Sequence, residues 1–282
     1  MKHVLLVLLV MALFCSNATA AMKVEATYGK GQNAFSLATG SPGELGLLNV
    51  LAEAFAAKHD ATMHWVKAGT GESMALLKEK QVDMIMVHAP AAEKKAVADG
   101  WATKRVLIGS NEFFIVGPKA DPAAIATRKS AAEAYQAIAA SKARFFSRGD
   151  DSGTHKKEMT TWKDAGIEPS GPWYIITKAF MTATLKRAND EQGYFMTDSS
   201  TWAAEKKSVP HLVILFKGDK KLINTYHTLV QPMGVTPGAQ TAAMFVDFVA
   251  SEAGQNIIRS FGKAEHGEAL YNDAVYAKQY DE

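Results

Sequence analysis

Phe35-Ser36-Leu37-Ala38-Thr39 is a short β-rich run, and Gly40-Ser41-Pro42-Gly43-Glu44 follows it without a gap. Leu47, Leu48, Leu51 and Phe55 then fall at helical spacing, so 43–58 reads as a helix. The same order recurs downstream. Met63–Lys67 reads as a strand and Glu72–Lys80 as a helix, then Val82–His88 as a strand and Ala91–Asp99 as a helix. Val106–Gly109 and Glu112–Val116 read as two strands, closed by Gly117-Pro118. Beyond them, 123–140, 155–165, 179–189 and 201–206 read as helices, and 143–146, 193–197 and 212–216 as strands. The extended run Leu229–Thr236 precedes a long amphipathic helix over 239–261. Strand–helix alternation of this kind predicts an α/β fold with mostly parallel sheets.

Two extended segments, Glu112–Gly117 and Leu229–Thr236, bracket the middle of the chain. If both cross between units, residues 21–116 plus 230–282 form lobe one and residues 117–229 form lobe two. A two-stranded hinge then joins them about a cleft. In open α/β sheets ligands sit beyond the carboxyl ends of strands, where the next helices begin.

Of 282 residues, 48% are hydrophobic and 21% are charged, a globular rather than a disordered composition. The formal net charge of +2 argues against a nucleic-acid module that relies on a basic field. Met1-Lys2-His3 sets a positive charge beside the apolar run Val4–Phe14, and Ala18-Thr19-Ala20 fits an A-x-A cleavage site. Residues 1–20 therefore read as a secretory signal peptide, which predicts an extracytoplasmic, periplasmic location. The single cysteine, Cys15, lies inside it, and Phe14 is too bulky for a lipid-attachment site. A mature chain without cysteine excludes disulfides, thiolate metal sites and cysteine nucleophiles.

Three strand-to-helix junctions share one chemistry. They are Thr39–Glu44, Ala68-Gly69-Thr70-Gly71-Glu72-Ser73, and Ser147-Arg148-Gly149-Asp150-Asp151-Ser152-Gly153-Thr154-His155. A helix N-terminus offers unpaired N–H donors and about half a positive charge. Thr39, Ser41, Thr70, Ser152 and Thr154 add hydroxyl donors, and Arg148 adds a planar cationic fork suited to an oxyanion. Glycines let a ligand come close to the backbone. Each junction by itself is also explained as helix capping: Ser41 fits an N-cap, Pro42 the next position and Glu44 a capping box, while Thr70 fits a second N-cap. Glu72, Asp150 and Asp151 lie near the proposed anion and are expected to face outward or to pair with Arg148 or lysines. His88, ending an apolar strand before Ala89-Pro90, either faces the cleft or is a satisfied structural histidine.

Other chemistries find no foothold. There is no G-x-S-x-G elbow, no P-loop, no dinucleotide fingerprint and no second histidine one turn from His155. Neither an enzyme, nor a cofactor, nor a metal held by side chains is expected.

Ser147–Glu158 closely resembles the motif of the tungstate-binding proteins of ABC transporters. Leu37-Ala38-Thr39, Gly69-Thr70-Gly71, His88-Ala89-Pro90, Met181-Thr182-Ala183-Thr184-Leu185 and Tyr194–Thr201 agree with that family in order. The resemblance implies a periplasmic binding protein, type II-like, two-lobed and hinged. It would bind tungstate, with molybdate as a second ligand, and deliver it as a monomer to a membrane permease. It also adds His88, Met181 and Thr184 to the candidate contacts. The first loop departs from the family, because Gly40, Pro42 and Gly43 replace hydroxyl residues, and this leaves the choice of anion open. An organic-carboxylate receptor of the same fold is the alternative, with Trp173, Tyr174 and Phe180 as cleft residues.

Overall fold

The computed structural model describes residues 23–281. The signal-peptide expectation for residues 1–20, and Cys15 with it, lies outside the described residues. The chain opens with β1 (Ala26–Tyr28), β2 (Asn33–Thr39), α1 (Ser41–Glu44), α2 (Leu47–His59), β3 (Ala61–Lys67), α3 (Thr70–Lys78), β4 (Met84–Val87) and α4 (Pro90–Ala98). The helix expected over 43–58 is broken, because Gly46 takes a left-handed φ of 89° that ends α1 and starts α2. Next comes β5 (Thr103–Pro118), one sixteen-residue strand where two short ones were expected. Ser110 and Asn111, which fall between the two expected strands, are buried within the ladder.

The middle of the chain holds α5 (Ala131–Ser141), β6 (Phe145–Ser147), α6 (Gly153–Asp164), β7 (Tyr174–Ile176), α7 (Met181–Asp190), β8 (Tyr194–Asp198), α8 (Ser199–Glu205) and β9 (Leu212–Phe216). The helix expected over 123–140 is shorter. The Asp121 carboxylate takes the N–H groups of Ile125 and Ala126 in a single 3-10 turn, and α5 starts only after Ser130. There Ser130 Oγ accepts the Glu133 N–H and Glu133 accepts the Lys129 N–H, a capping arrangement. The chain ends with β10 (Ile223–Val230), α9 (Ala239–Ala250), α10 (Glu252–Ser260), α11 (Lys263–His266), β11 (Asn272–Asp273) and α12 (Ala274–Ala277).

The strands join in the order β1-β3-β2-β4-β10-β5-β8-β6-β7, with β9 and β11 also on β5. Parallel pairing, as expected, links β2 to β3 and β4, and β6 to β7 and β8. The two long strands depart from it: β10 runs antiparallel to β4 and β5, and β5 antiparallel to β8 and β9. The sheet is therefore mixed. β5 pairs with β10 up to Glu112 and with β8 from Phe113 onward, so partners change before the expected line at 116/117. The second long strand is Ile223–Val230, not Leu229–Thr236. Pro232, Gly234 and Pro237 deny the later segment a ladder, while the polar residues Asn224, Thr225, His227 and Thr228 are buried within the earlier one.

Separate cores flank this change of partners. Phe35, Phe55 and Phe245 pack ring on ring, 5.3–6.1 Å between centroids, beneath α2 and α9. Ala38, Val66, Leu77, Ile85 and Leu229 fill the other face, under α3 and α4. On the far side Tyr135, Phe145 and Trp162 stack at 4.2–5.2 Å. Each such side chain contributes about 1.5–3 kcal/mol by leaving water. These cores hold the strand ends from which the site is built.

Candidate functional site

Helices begin within a few residues of parallel strand ends, among them α1 after β2, α3 after β3, α4 after β4 and α6 after β6. Residues of these four junctions meet at one cavity of about 20 Å³, lined by Gly40, Ser41, Pro42, Gly69, Thr70, Met86, His88, Arg148 and Ser152. Its lining thus comes from both sides of the β5 crossing. The two sides touch closely. A Cβ on Gly71 would overlap the Asp151 carboxylate, and one on Gly153 would overlap the His88 ring. Only glycine permits that approach.

Capping does not account for two of the three hydroxyl junctions. The N-cap of α1 is Gly40 and that of α3 is Gly69, so Ser41 and Thr70 are the first helical residues and neither hydroxyl makes a cap bond. Glu44, expected to complete a capping box, instead pairs with Lys67 at 2.7 Å. Ser152 does cap α6, its Oγ accepting the His155 N–H at 3.3 Å. Its hydroxyl and its N–H also bond the Asp150 carboxylate, which ties the cap to the Arg148 pair.

Arg148 is 4% exposed, and both Nε and Nη2 donate to Asp150 Oδ2, at 3.0 and 2.6 Å. Nη1 stands outside this pair. The Phe180 ring lies 5.4 Å from the guanidinium carbon and 4.5 Å from Lys67 Nζ, a cation–π contact with each. Burial raises the Asp150 pKa, but the guanidinium and the bonds from Ser152 outweigh it and hold the carboxyl below its ordinary value. Asp151 pairs with Lys156, and Glu72 is exposed.

His88 projects from the end of β4, and its Nδ1 lies 2.8 Å from Asn224 Oδ1. Burial pulls its pKa down to about 3; the charges of Arg148 and Lys157 add to the effect and the Asn224 bond opposes it. The ring is neutral near pH 7. Behind Arg148, Glu158 is buried on α6, where Trp162 Nε1 (3.2 Å) and the Tyr174 hydroxyl (2.6 Å) donate to it. Burial nevertheless pushes its pKa up to about 7.

Of the residues expected at the site, Ser41, Thr70, His88, Arg148 and Ser152 line the cavity. Thr39, Thr154, Met181 and Thr184 do not. Thr39 Oγ1 donates to the Met86 carbonyl at 2.9 Å and stitches β2 to β4. Thr154 is buried in the first turn of α6. Met181 belongs to the second core, and the Thr184 hydroxyl is spent on Thr177 and on the Ala179 carbonyl. Trp173 and Tyr174, cleft residues of the alternative, also pack against that core. Met86, Gly69 and Pro42 line the cavity without having been singled out as contacts; Gly69 was legible as part of Gly69-Thr70-Gly71, whereas Met86 carried no signal distinct from a core residue.

Parallel strand ends, facing helix N-termini and a narrow cavity between them define a solute-binding protein. Residues 25–253 match the PBP superfamily domain, and the chain has the periplasmic binding protein fold. It is 33% identical over 253 residues to the tungstate-binding protein TupA of Peptoclostridium acidaminophilum, covering 88% of each chain. The crystal structure of the tungstate ABC transporter protein from Geobacter sulfurreducens is 37% identical, with a TM-score of 0.73 over 82% of this chain and 100% of that one. The tungstate-binding protein TupA of Desulfovibrio alaskensis is 37% identical, with a TM-score of 0.70 over 85% and 98%. The chain belongs to the tungstate-binding protein family of ABC transporters.

Proposed function

We propose that this protein is the extracytoplasmic receptor of an ABC importer and that it binds tungstate, with molybdate as a second ligand, between two lobes. The observation that carries this reading is the cavity lining: neutral donors at Ser41 and Thr70, the N-termini of α1, α3 and α6, and the single guanidinium of Arg148. Donors fixed by helix ends are preorganised for a small anion and need little rearrangement to receive it. The relatives named above support the metalate.

The lobes divide where β5 changes partners, between Glu112 and Phe113, and again where β10 begins at Ile223. Each lobe offers part of the donor set, so the ligand stabilises the arrangement in which both reach it. The closed monomer then docks on the permease in the membrane. Export through the signal peptide places it in the periplasm, and it performs no covalent chemistry. Native mass spectrometry and a thermal-shift panel with tungstate, molybdate, sulfate, phosphate and succinate test this. Tungstate and molybdate are expected to bind one per chain and to raise Tm well above the others. No mass increment and no shift with either would overturn the reading.

A further inference from the structure

His88 sits at the head of a buried chain of amides that determines which ring nitrogen carries the proton. The chain starts at Asp198, whose Oδ1 accepts from Thr201 N at 2.8 Å and from Asn111 Nδ2 at 3.2 Å. Asn111 Nδ2 also donates to Ser200 Oγ at 2.8 Å, and that hydroxyl is committed to the Leu270 carbonyl at 2.6 Å. The Asn111 amide is thereby oriented, and its oxygen accepts from Asn224 Nδ2 at 2.7 Å. Asn224 Oδ1 is left as an acceptor, and the atom facing it at 2.8 Å is His88 Nδ1. Nδ1 therefore holds the proton of the neutral ring, and Nε2 carries the lone pair.

This arrangement suits a dianion poorly unless a proton moves. His88 lines the cavity and its ring meets Gly153 at the start of α6, and an Nε2 lone pair in that space repels an anionic oxygen. Arg148, the cation in the lining, already has Asp150 as its counter-ion. Resting on the anion-site reading above, we infer that binding of a fully ionised tetrahedral oxyanion takes one proton from the medium onto His88 Nε2, which then donates to an anion oxygen. The buffer acid loses the proton and Nε2 gains it, and the Nδ1 bond to Asn224 is kept throughout.

The groups around the ring agree with a proton that arrives only with the anion. Arg148 and Lys157, from α6 and the loop before it, disfavour a charged imidazole, and burial does so more strongly. The Tyr226 ring of β10 lies tilted at 4.8 Å and that of Phe113 of β5 at 6.2 Å, and neither is a counter-ion. On α4, Glu93 is engaged elsewhere, by the Ala89 N–H and by Arg105. Asp198 is reached only through the two asparagines. Asp150 and Asp151 are paired with Arg148 and Lys156, and His155 accepts the Asp151 N–H on Nδ1. The incoming anion supplies the counter-charge that His88 lacks.

Calorimetry of tungstate binding at one pH, in two buffers of different ionisation heat, gives the number of protons exchanged. The result expected is close to one taken up, with affinity falling about tenfold per pH unit from pH 6 to pH 8. In His88→Gln, whose amide donates at any pH, the uptake and the pH slope should vanish, whatever affinity the variant retains. Carbon-13 shifts of the imidazoles report His88 and His155 separately in the wild-type chain, whether or not the variant folds. Tight binding with no proton uptake, a slope that persists in His88→Gln, or a His88 ring still neutral when tungstate is bound would overturn the inference and leave the anion site standing. Absence of binding at every pH would overturn both.

Discussion

The two walls of the cavity are built by different means. The wall from α1 and α3 is neutral: its helices are capped by glycines, its hydroxyls are spared from capping, and the carboxylates nearby face solvent or a lysine. The wall from α6 is charged: Arg148 carries its own counter-ion, Ser152 serves as cap and donor together, and a carboxyl group lies buried behind it. Neutral donors cost little to present at a protein surface. A buried cation must be compensated at all times, and Asp150 does this. The contrast suggests that the neutral wall shapes the anion while the charged wall supplies most of the attraction.

The largest effect that would break this contrast is loss of the charge. Arg148→Ala should cost about 2–5 kcal/mol of tungstate affinity, because the attraction goes and the half-buried Asp150 is left without its partner; near wild-type affinity in calorimetry would equalise the two walls. The buried carboxyl tests the same contrast through stability. Glu158 has a folded-state pKa raised from 4.5 to about 7, so the unfolded chain releases its proton first as pH rises. Stability should therefore fall between about pH 4.5 and pH 7 by roughly 3 kcal/mol and stay lower above that range. Urea denaturation at pH 5 and pH 8 measures the fall, and Glu158→Gln should remove most of it; an unchanged slope would show that the group does not titrate in this range.

Close approach of the walls is tested at Gly153, where an added Cβ would overlap the His88 ring. Gly153→Ala should weaken binding by about 1–3 kcal/mol through overpacking, whereas unaltered affinity would mean the walls need not meet. The smallest effects sharpen the comparison most. Ser41→Ala and Thr70→Ala should each cost about 1 kcal/mol of binding and leave Tm unchanged, since neither caps a helix. Ser152→Ala should lose a similar amount of affinity and also about 1 kcal/mol of stability, since it does. Paired calorimetry and thermal melts separate the two patterns, and a Tm drop in Ser41→Ala would return that residue to a capping role.

The cavity residues were legible because hydroxyls and glycines follow short apolar strands at the end where α/β sheets bind ligands. Ser41, Thr70, Arg148 and Ser152 are visible this way, and His88 partly so. What escaped detection is the pair of long strands between the two sides. Asn111, Asn224, Thr225 and His227 look like surface or turn residues in a one-dimensional reading, yet all are buried: Asn111 and Asn224 bond each other, and His227 meets Glu93, Arg105 and Asp281. Asn111 and Asn224 are 113 residues apart and bonded at 2.7 Å; no local pattern encodes such a partner. Likewise Thr39 and Thr184 have the chemistry of a ligand contact, but their hydroxyls are consumed by the backbone. Helix ends shifted where single residues overrode a periodic stretch, as Gly46 and Asp121 did.

β5 serves two sheets without a break, which gives it a mechanical character. It pairs with β10 through Glu112 and with β8 and β9 beyond it, so one backbone ties the ladders on both sides of the cavity together as a keel ties two flanks. The buried amides at the crossing, Asn111 and Asn224, tie this strand to β10 and reach His88, so a change in either would be felt in the cavity as well as along the strand.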